Sequence, residues 1–138
     1  MPRKKTRIIS VYQKYWTNKM KVSGFTFIRN ALKYDYPIVE AILSILPICD
    51  EFIIAVGNSD DDTLALIQKI DSKKIKIIQT VLDDSLRANG EVLAIETNKA
   101  FKAISPDSDW AFYIQGDEIV HEKYLNSTNF KLAISCER

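Results

Sequence analysis

Glu51-Phe52-Ile53-Ile54-Ala55-Val56 runs directly into Gly57-Asn58-Ser59-Asp60-Asp61-Asp62-Thr63. The first stretch is apolar without interruption after Glu51, the mark of a strand buried on both faces, as in parallel sheets. The second turns the chain, and its acids supply a helix cap and first turn. Leu64, Leu66, Ile67 and Ile70 then recur at helical spacing. Residues 74–79 read as the next strand. Upstream, Phe25-Thr26-Phe27-Ile28 is β-branched and aromatic and follows Ser23-Gly24, which predicts an earlier strand. Tyr34-Asp35-Tyr36-Pro37 opens a helix, with Asp35 or Tyr36 at the cap and Pro37 in the first turn. Ile38, Val39, Ile42, Leu43, Ile45 and Leu46 give that helix a wide apolar face until Pro47 ends it. Strands alternating with helices predict an α/β fold: a mostly parallel twisted sheet with helices on both faces and right-handed crossovers.

Further along, residues 80–90 form a polar loop long enough to be functional. Residues 91–104 predict a helix with Val92, Leu93, Ile95, Ala100, Phe101 and Ile104 on its apolar side, stopped by Ser105-Pro106. Trp110-Ala111-Phe112-Tyr113-Ile114 reads as a short buried strand, with Trp110 and Tyr113 expected in the core. It ends in Gln115-Gly116-Asp117-Glu118. A short helix is expected through Tyr124 and Leu125. Residues 1–21 stand apart as an N-terminal extension with a basic run, a possible strand at 7–12, and large apolar groups at Tyr12, Tyr15 and Trp16. Residues 22–125 form the domain, and 126–138 are a tail closing on Phe130, Leu132 and Ile134.

Composition narrows the function classes. The chain has 138 residues, 46% apolar and 27% charged, which suits one globular domain with one core. A net charge of +1 gives no field that would steer the whole chain to nucleic acid. No run is long enough to span a membrane. Cys49 and Cys136 lie far apart, form no metal-binding spacing, and fit a reducing, cytoplasmic compartment.

Polar clusters stand at the carboxyl ends of the predicted strands: Arg29 and Asn30, residues 58–61, residues 83–87, and residues 115–118. Open α/β sheets bind ligands at that edge. Carboxylates there suit a hard divalent cation, Mg²⁺ or Mn²⁺, which bridges phosphates using only one or two protein acids. Asp117, with Glu118, is the candidate metal holder; the competing reading is an ordinary acidic turn. The sequence has no glycine-rich phosphate cradle, so phosphate charge falls to a metal or to Arg87. His121, the single histidine, reads as a packing residue sooner than a catalyst.

Phe25-Thr26-Phe27-Ile28-Arg29-Asn30-Ala31, the turn from Val56 to Thr63, and Tyr113-Ile114-Gln115-Gly116-Asp117-Glu118 together resemble the nucleotide-binding half of family-two glycosyltransferases of the GT-A, Rossmann-like fold. The resemblance covers roughly residues 22–125. It implies a nucleotide-diphosphate sugar donor whose base meets Ile28, Arg29 and Asn30, with Asn58 and Asp60 in the second loop and Asp61 as the helix-capping acid. It also implies transfer of the sugar to a hydroxyl acceptor with inversion. The family's D-x-D metal motif is matched by Gln115-x-Asp117, so its first carboxylate is replaced by an amide. No segment matches the acceptor-binding half with its general base, which implies a chain truncated at its C-terminus. No catalytic residue is therefore assigned. A non-catalytic nucleotide-sugar-binding module, or an oligomer-forming fragment, is the alternative.

Overall fold

The computed structural model describes residues 20–86 and 90–125. Its sheet has four strands, β1 (Val22–Ile28), β2 (Glu51–Gly57), β3 (Ile75–Thr80) and β4 (Trp110–Tyr113). Their order is β3-β2-β1-β4, and every pairing is parallel. Three helices connect them: α1 (Ile38–Ile45), α2 (Thr63–Gln68) and α3 (Glu91–Lys102). The α/β fold read from the sequence is the one observed. The expected strand at 7–12, the aromatic groups of the N-terminal extension, and the apolar tail lie outside the described residues.

All seven residues of β2 are buried. Side chains alternate across a strand, so β2 feeds two cores. Phe52, Ile54 and Val56 pack with Ile28, Ile38, Ile42, Ile45 and Ile67, which puts α1 and α2 on one face. Ile53 and Ala55 pack with Phe25, Phe27, Ile78 and Ala100, which puts α3 on the other. Gly24 lets β1 lie against this arrangement: a Cβ there would stand 2.5 Å from the Phe52 ring and 3.0 Å from the Cys49 sulfur.

Three expectations are corrected in detail. Neither Asp35 nor Tyr36 caps α1; Pro37 occupies the cap, and its carbonyl accepts from Ala41 N–H at 2.8 Å. In α3 the buried residues are Glu96 and Ala100, whereas Leu93, Ile95 and Phe101 are exposed. The small Ala100 lets the helix approach the sheet along a narrow stripe, and the larger apolar groups fall to either side. Among the described strands β4 is an edge strand, so Trp110 is only half-buried and Tyr113 is exposed. The Phe25 ring bridges the Phe101 and Tyr113 rings, with centroids 5.4 and 5.3 Å away. Among the described residues no helix is long and apolar enough to cross a membrane.

The amino end of the sheet is closed by Glu51, a buried carboxylate. It accepts from Ser23 Oγ at 2.7 Å, Ser105 N–H at 2.6 Å, Ser105 Oγ at 2.9 Å and Lys76 Nζ at 2.8 Å. It therefore ties β1, β2, β3 and the α3–β4 connection together. Burial alone raises its pKa, but the donors from Lys76, Ser23 and Ser105 outweigh that and hold it at about 2, below the ordinary 4.5. The folded value lies below the unfolded one, so the stability Glu51 contributes is full above about pH 4.5 and is lost as pH falls toward 2. The shift corresponds to about 3 kcal/mol. Glu51→Ala is expected to cost about 3 kcal/mol in urea unfolding, because it strands the serine donors. Lys76→Ala, at a half-exposed partner, is expected to cost less than about 1 kcal/mol. Glu51→Gln should flatten the acid limb of the stability curve between those pH values.

Candidate functional site

A parallel sheet brings the loops after its strands to one edge. Here those loops are also bonded to each other. Arg29 Nε donates to the Asn58 carbonyl at 2.7 Å, and Arg29 Nη1 pairs with Asp84 at 3.3 Å. Asn30, buried and left-handed at φ 52°, receives Asp60 N–H on its Oδ1 at 2.7 Å and donates its own N–H to Ser59 Oγ at 3.0 Å. Asparagine tolerates that backbone region better than most residues. Ala31 N–H donates to Thr63 Oγ1 at 2.8 Å, and Leu82 N–H to Asn58 Oδ1 at 3.1 Å.

Asp61 joins the first two loops. Its carboxylate accepts from Lys33 N–H at 2.8 Å and from Thr63 N–H at 3.0 Å, and also from the Thr63 hydroxyl. Partial burial raises its pKa, but these donors prevail and hold it below the usual carboxylate range. It feeds the start of α2 as a capping acid should, from one residue before the formal cap at Asp62.

A cleft of about 620 Å³ opens beside this knot. Its floor is the end of β1, Phe27, Ile28 and Arg29. One wall is α3, through Leu93, Ala94, Thr97 and Asn98. Tyr34 and Tyr36 line it from the β1–α1 loop, and Tyr113, Gln115, Gly116 and Asp117 from the end of β4. A Cβ on Gly116 would stand 2.7 Å from Ile28 Cδ1, so the glycine lets the Gln115–Asp117 turn settle on the floor.

Of the candidates read from sequence, Ile28, Arg29 and Asp117 meet at the cleft. Asn30, Asn58 and Asp60 stand in the adjoining knot, where their polar atoms bond the loops together. Asp60 Oδ2 also lies 3.8 Å from Lys33 Nζ. Glu118 turns back, accepting Gln115 N–H at 3.0 Å, and so closes the turn that presents Asp117. Arg87 lies outside the described residues. His121 Nδ1 accepts Lys123 N–H at 3.1 Å and its ring meets Tyr124 edge-on, in keeping with a packing role. Among the described residues no group of three or more His, Cys, Asp or Glu side chains could hold a metal ion. The carboxylate the cleft offers is Asp117, a donor set suited to a hard cation that completes its shell with phosphate oxygens and water.

Sequence reading did not assign Tyr34, Tyr36, Leu93, Thr97, Asn98 or Tyr113 to the site. Leu93 and Tyr113 resembled core residues, and nothing in the spacing of Thr97 and Asn98 separates them from a solvated helix face. An aromatic pair beside Pro37 is the one signal that pointed to Tyr34 and Tyr36.

No protein-family model matches the chain, and no curated protein matches it significantly. Solved structures do. The crystal structure of S. aureus TarS aligns at TM-score 0.58 and 22% identity over 79% of this chain. The structure of S. aureus TarS 1-349 in complex with UDP aligns at 0.57 and 20%, also over 79%. The chain shares its fold with the aligned part of TarS. The chain spans 19% of the first TarS chain and 31% of the second, so the likeness concerns one part of a larger protein.

Asn30 provides a test of the knot. Asn30→Ala should lower stability by about 2 kcal/mol, combining a lost buried acceptor with a strained left-handed alanine. Asn30→Gly, which relieves the strain, should cost about 1 kcal/mol. Equal losses in urea melts would show that the backbone conformation there carries no energetic weight.

Proposed function

We propose that the chain is the nucleotide-binding part of a family-two glycosyltransferase of the GT-A type, which binds a nucleotide-diphosphate sugar and passes the sugar to a hydroxyl acceptor. The observation that carries this reading is the meeting of Ile28, Arg29 and Asp117 at one cleft, on a fold shared with a protein solved with UDP. In this reading the base and ribose lie against Ile28, Arg29 and Asn30 and the loop of Asn58 and Asp60. The sequence assigns phosphate charge to a metal or to Arg87. Asp117, with its turn fixed by Glu118, holds Mg²⁺ or Mn²⁺, which when bound neutralises charge on the leaving diphosphate. The acceptor oxygen displaces the diphosphate at the anomeric carbon, and the carbon–oxygen bond electrons leave with the phosphate. Direct displacement inverts that centre. The acceptor proton goes to a general base, a role given to no residue of this chain. The reading keeps the cytoplasmic setting that the two cysteines suggest.

A second reading is supported by Gln115. An amide at the first position of the acidic pair weakens metal binding, which suits a module that binds the donor without transferring it. The exposed Leu93, Phe101 and Tyr113 suit an oligomer-forming role for such a module.

Calorimetry with UDP, with and without Mn²⁺, tests the site. Mn²⁺ should tighten UDP binding to the parent chain about tenfold, an increment of about 1.4 kcal/mol. Asp117→Asn should abolish that increment while leaving metal-free affinity within about twofold. An increment that survives in Asp117→Asn rejects the assignment.

A further inference from the structure

Two features of the cleft are left unexplained by a nucleotide alone: the exposed tyrosines on the β1–α1 loop and the backbone that presents them. Tyr34 and Tyr36 are 57% and 42% exposed, yet their rings stand together, with centroids 5.9 Å apart and planes inclined by 40°. Both line the cleft. Lys33 Nζ lies 5.8 Å from the Tyr34 centroid.

The loop that carries them is fixed to an unusual degree. Two of its residues, Asn30 and Asp35, neither a glycine, are left-handed at φ 52° and 55°. Tyr34 N–H donates to the Asn30 carbonyl at 3.1 Å, and Tyr36 N–H to the Ala31 carbonyl at 2.8 Å. Such conformations persist where the surroundings over-determine them, and they concentrate at ligand-holding positions. Two large rings are thus kept out of the core on a loop that cannot relax to bury them.

The same cleft is lined by polar groups, with Gln115 and Asp117 exposed at the end of β4. A hexopyranose ring matches that contrast. Its faces carry C–H groups, weakly positive, that suit the negative face of an aromatic ring, while its rim of hydroxyls suits an amide and a carboxylate. The geometry points to Tyr34 and Tyr36 as a stacking platform for a sugar ring, with Gln115 and Asp117 on its hydroxyl rim. This inference deepens the nucleotide-sugar reading and rests on it. The ring is either the donor's transferred sugar or the acceptor's, and the two are separable by experiment.

The test uses the full 138-residue chain, with Tyr34→Ala, Tyr36→Ala, Tyr36→Phe and, as a control, Tyr124→Ala. Tyr124 is exposed and does not line the cleft. Melting curves confirm that each variant folds; if an alanine variant does not, the corresponding leucine variant replaces it. UDP, UDP-glucose and UDP-galactose are titrated by calorimetry. Methyl glucoside is titrated into the UDP-saturated chain while tyrosine ring signals are followed by NMR. A donor-sugar platform predicts that the alanine variants weaken a UDP-sugar at least fivefold and UDP less than twofold, with Tyr36→Phe near the parent. An acceptor platform predicts ring-signal shifts on adding methyl glucoside that the alanine variants lose. Equal weakening of UDP and UDP-sugars would mean that the rings stack on the base, and overturns the proposal. So does indifference of every sugar-bearing compound to the tyrosines. If the parent binds neither UDP nor a UDP-sugar, the nucleotide reading fails by itself. Methyl glucoside added without nucleotide then decides: tyrosine shifts uphold the platform, and their absence overturns it.

Discussion

A strand covered on both faces can carry polar groups only at its ends, and β2 obeys that constraint. Every one of its residues is buried, with hydrocarbon from α1 and α2 on one side and from α3 on the other. Its first residue is the carboxylate that gathers Ser23, Lys76 and Ser105. Its last, Gly57, leads into the loop that receives Arg29 and Asn30. The molecule is thereby divided into a stabilising end and a cleft-bearing end, with hydrocarbon between them. A buried acid at the first end is fully solvated by donors and has nothing left to offer a ligand. At the second end Asp117 stands exposed, on a turn that other side chains shape.

The loops at the cleft-bearing end are bonded to one another. Backbone N–H groups of Lys33, Asp60, Thr63 and Leu82 are all taken by side-chain oxygens of neighbouring residues or loops. Each bond is modest on its own, but together they remove the freedom that a ligand would otherwise have to freeze out. Asp61, expected as the helix-capping acid, is engaged in this work, with both of its oxygens occupied by backbone donors.

The fold was legible in the sequence to the extent that hydrophobic period and burial coincide. The unbroken apolar run at 52–56 reads as a central strand, and the apolar spacing of α1 agrees with its buried Ile38, Ile42 and Ile45. Legibility failed where apolar residues have a surface task. Leu93 has the periodicity of a core residue and Tyr113 the alternation of a buried strand, yet both line the cleft. Periodicity reports which side of an element is apolar; it does not report whether another element covers that side. For the site, position at the carboxyl edge drew attention to Ile28, Arg29 and Asp117, which line one cleft. It could not separate acids that face a cleft from acids that hold loops, because the two differ only in orientation.

Cys49, buried beside Gly24 of β1, gives the core a chemical signature. Burial pushes its thiol up to about 12. Alkylation, peroxide oxidation and disulfide exchange all proceed through the thiolate, which is almost unpopulated there at neutral pH. The heart of the sheet is thus redox-silent for as long as it remains closed. The sulfur becomes reactive only when the first two strands part, which makes its modification rate a built-in clock for the opening of the domain.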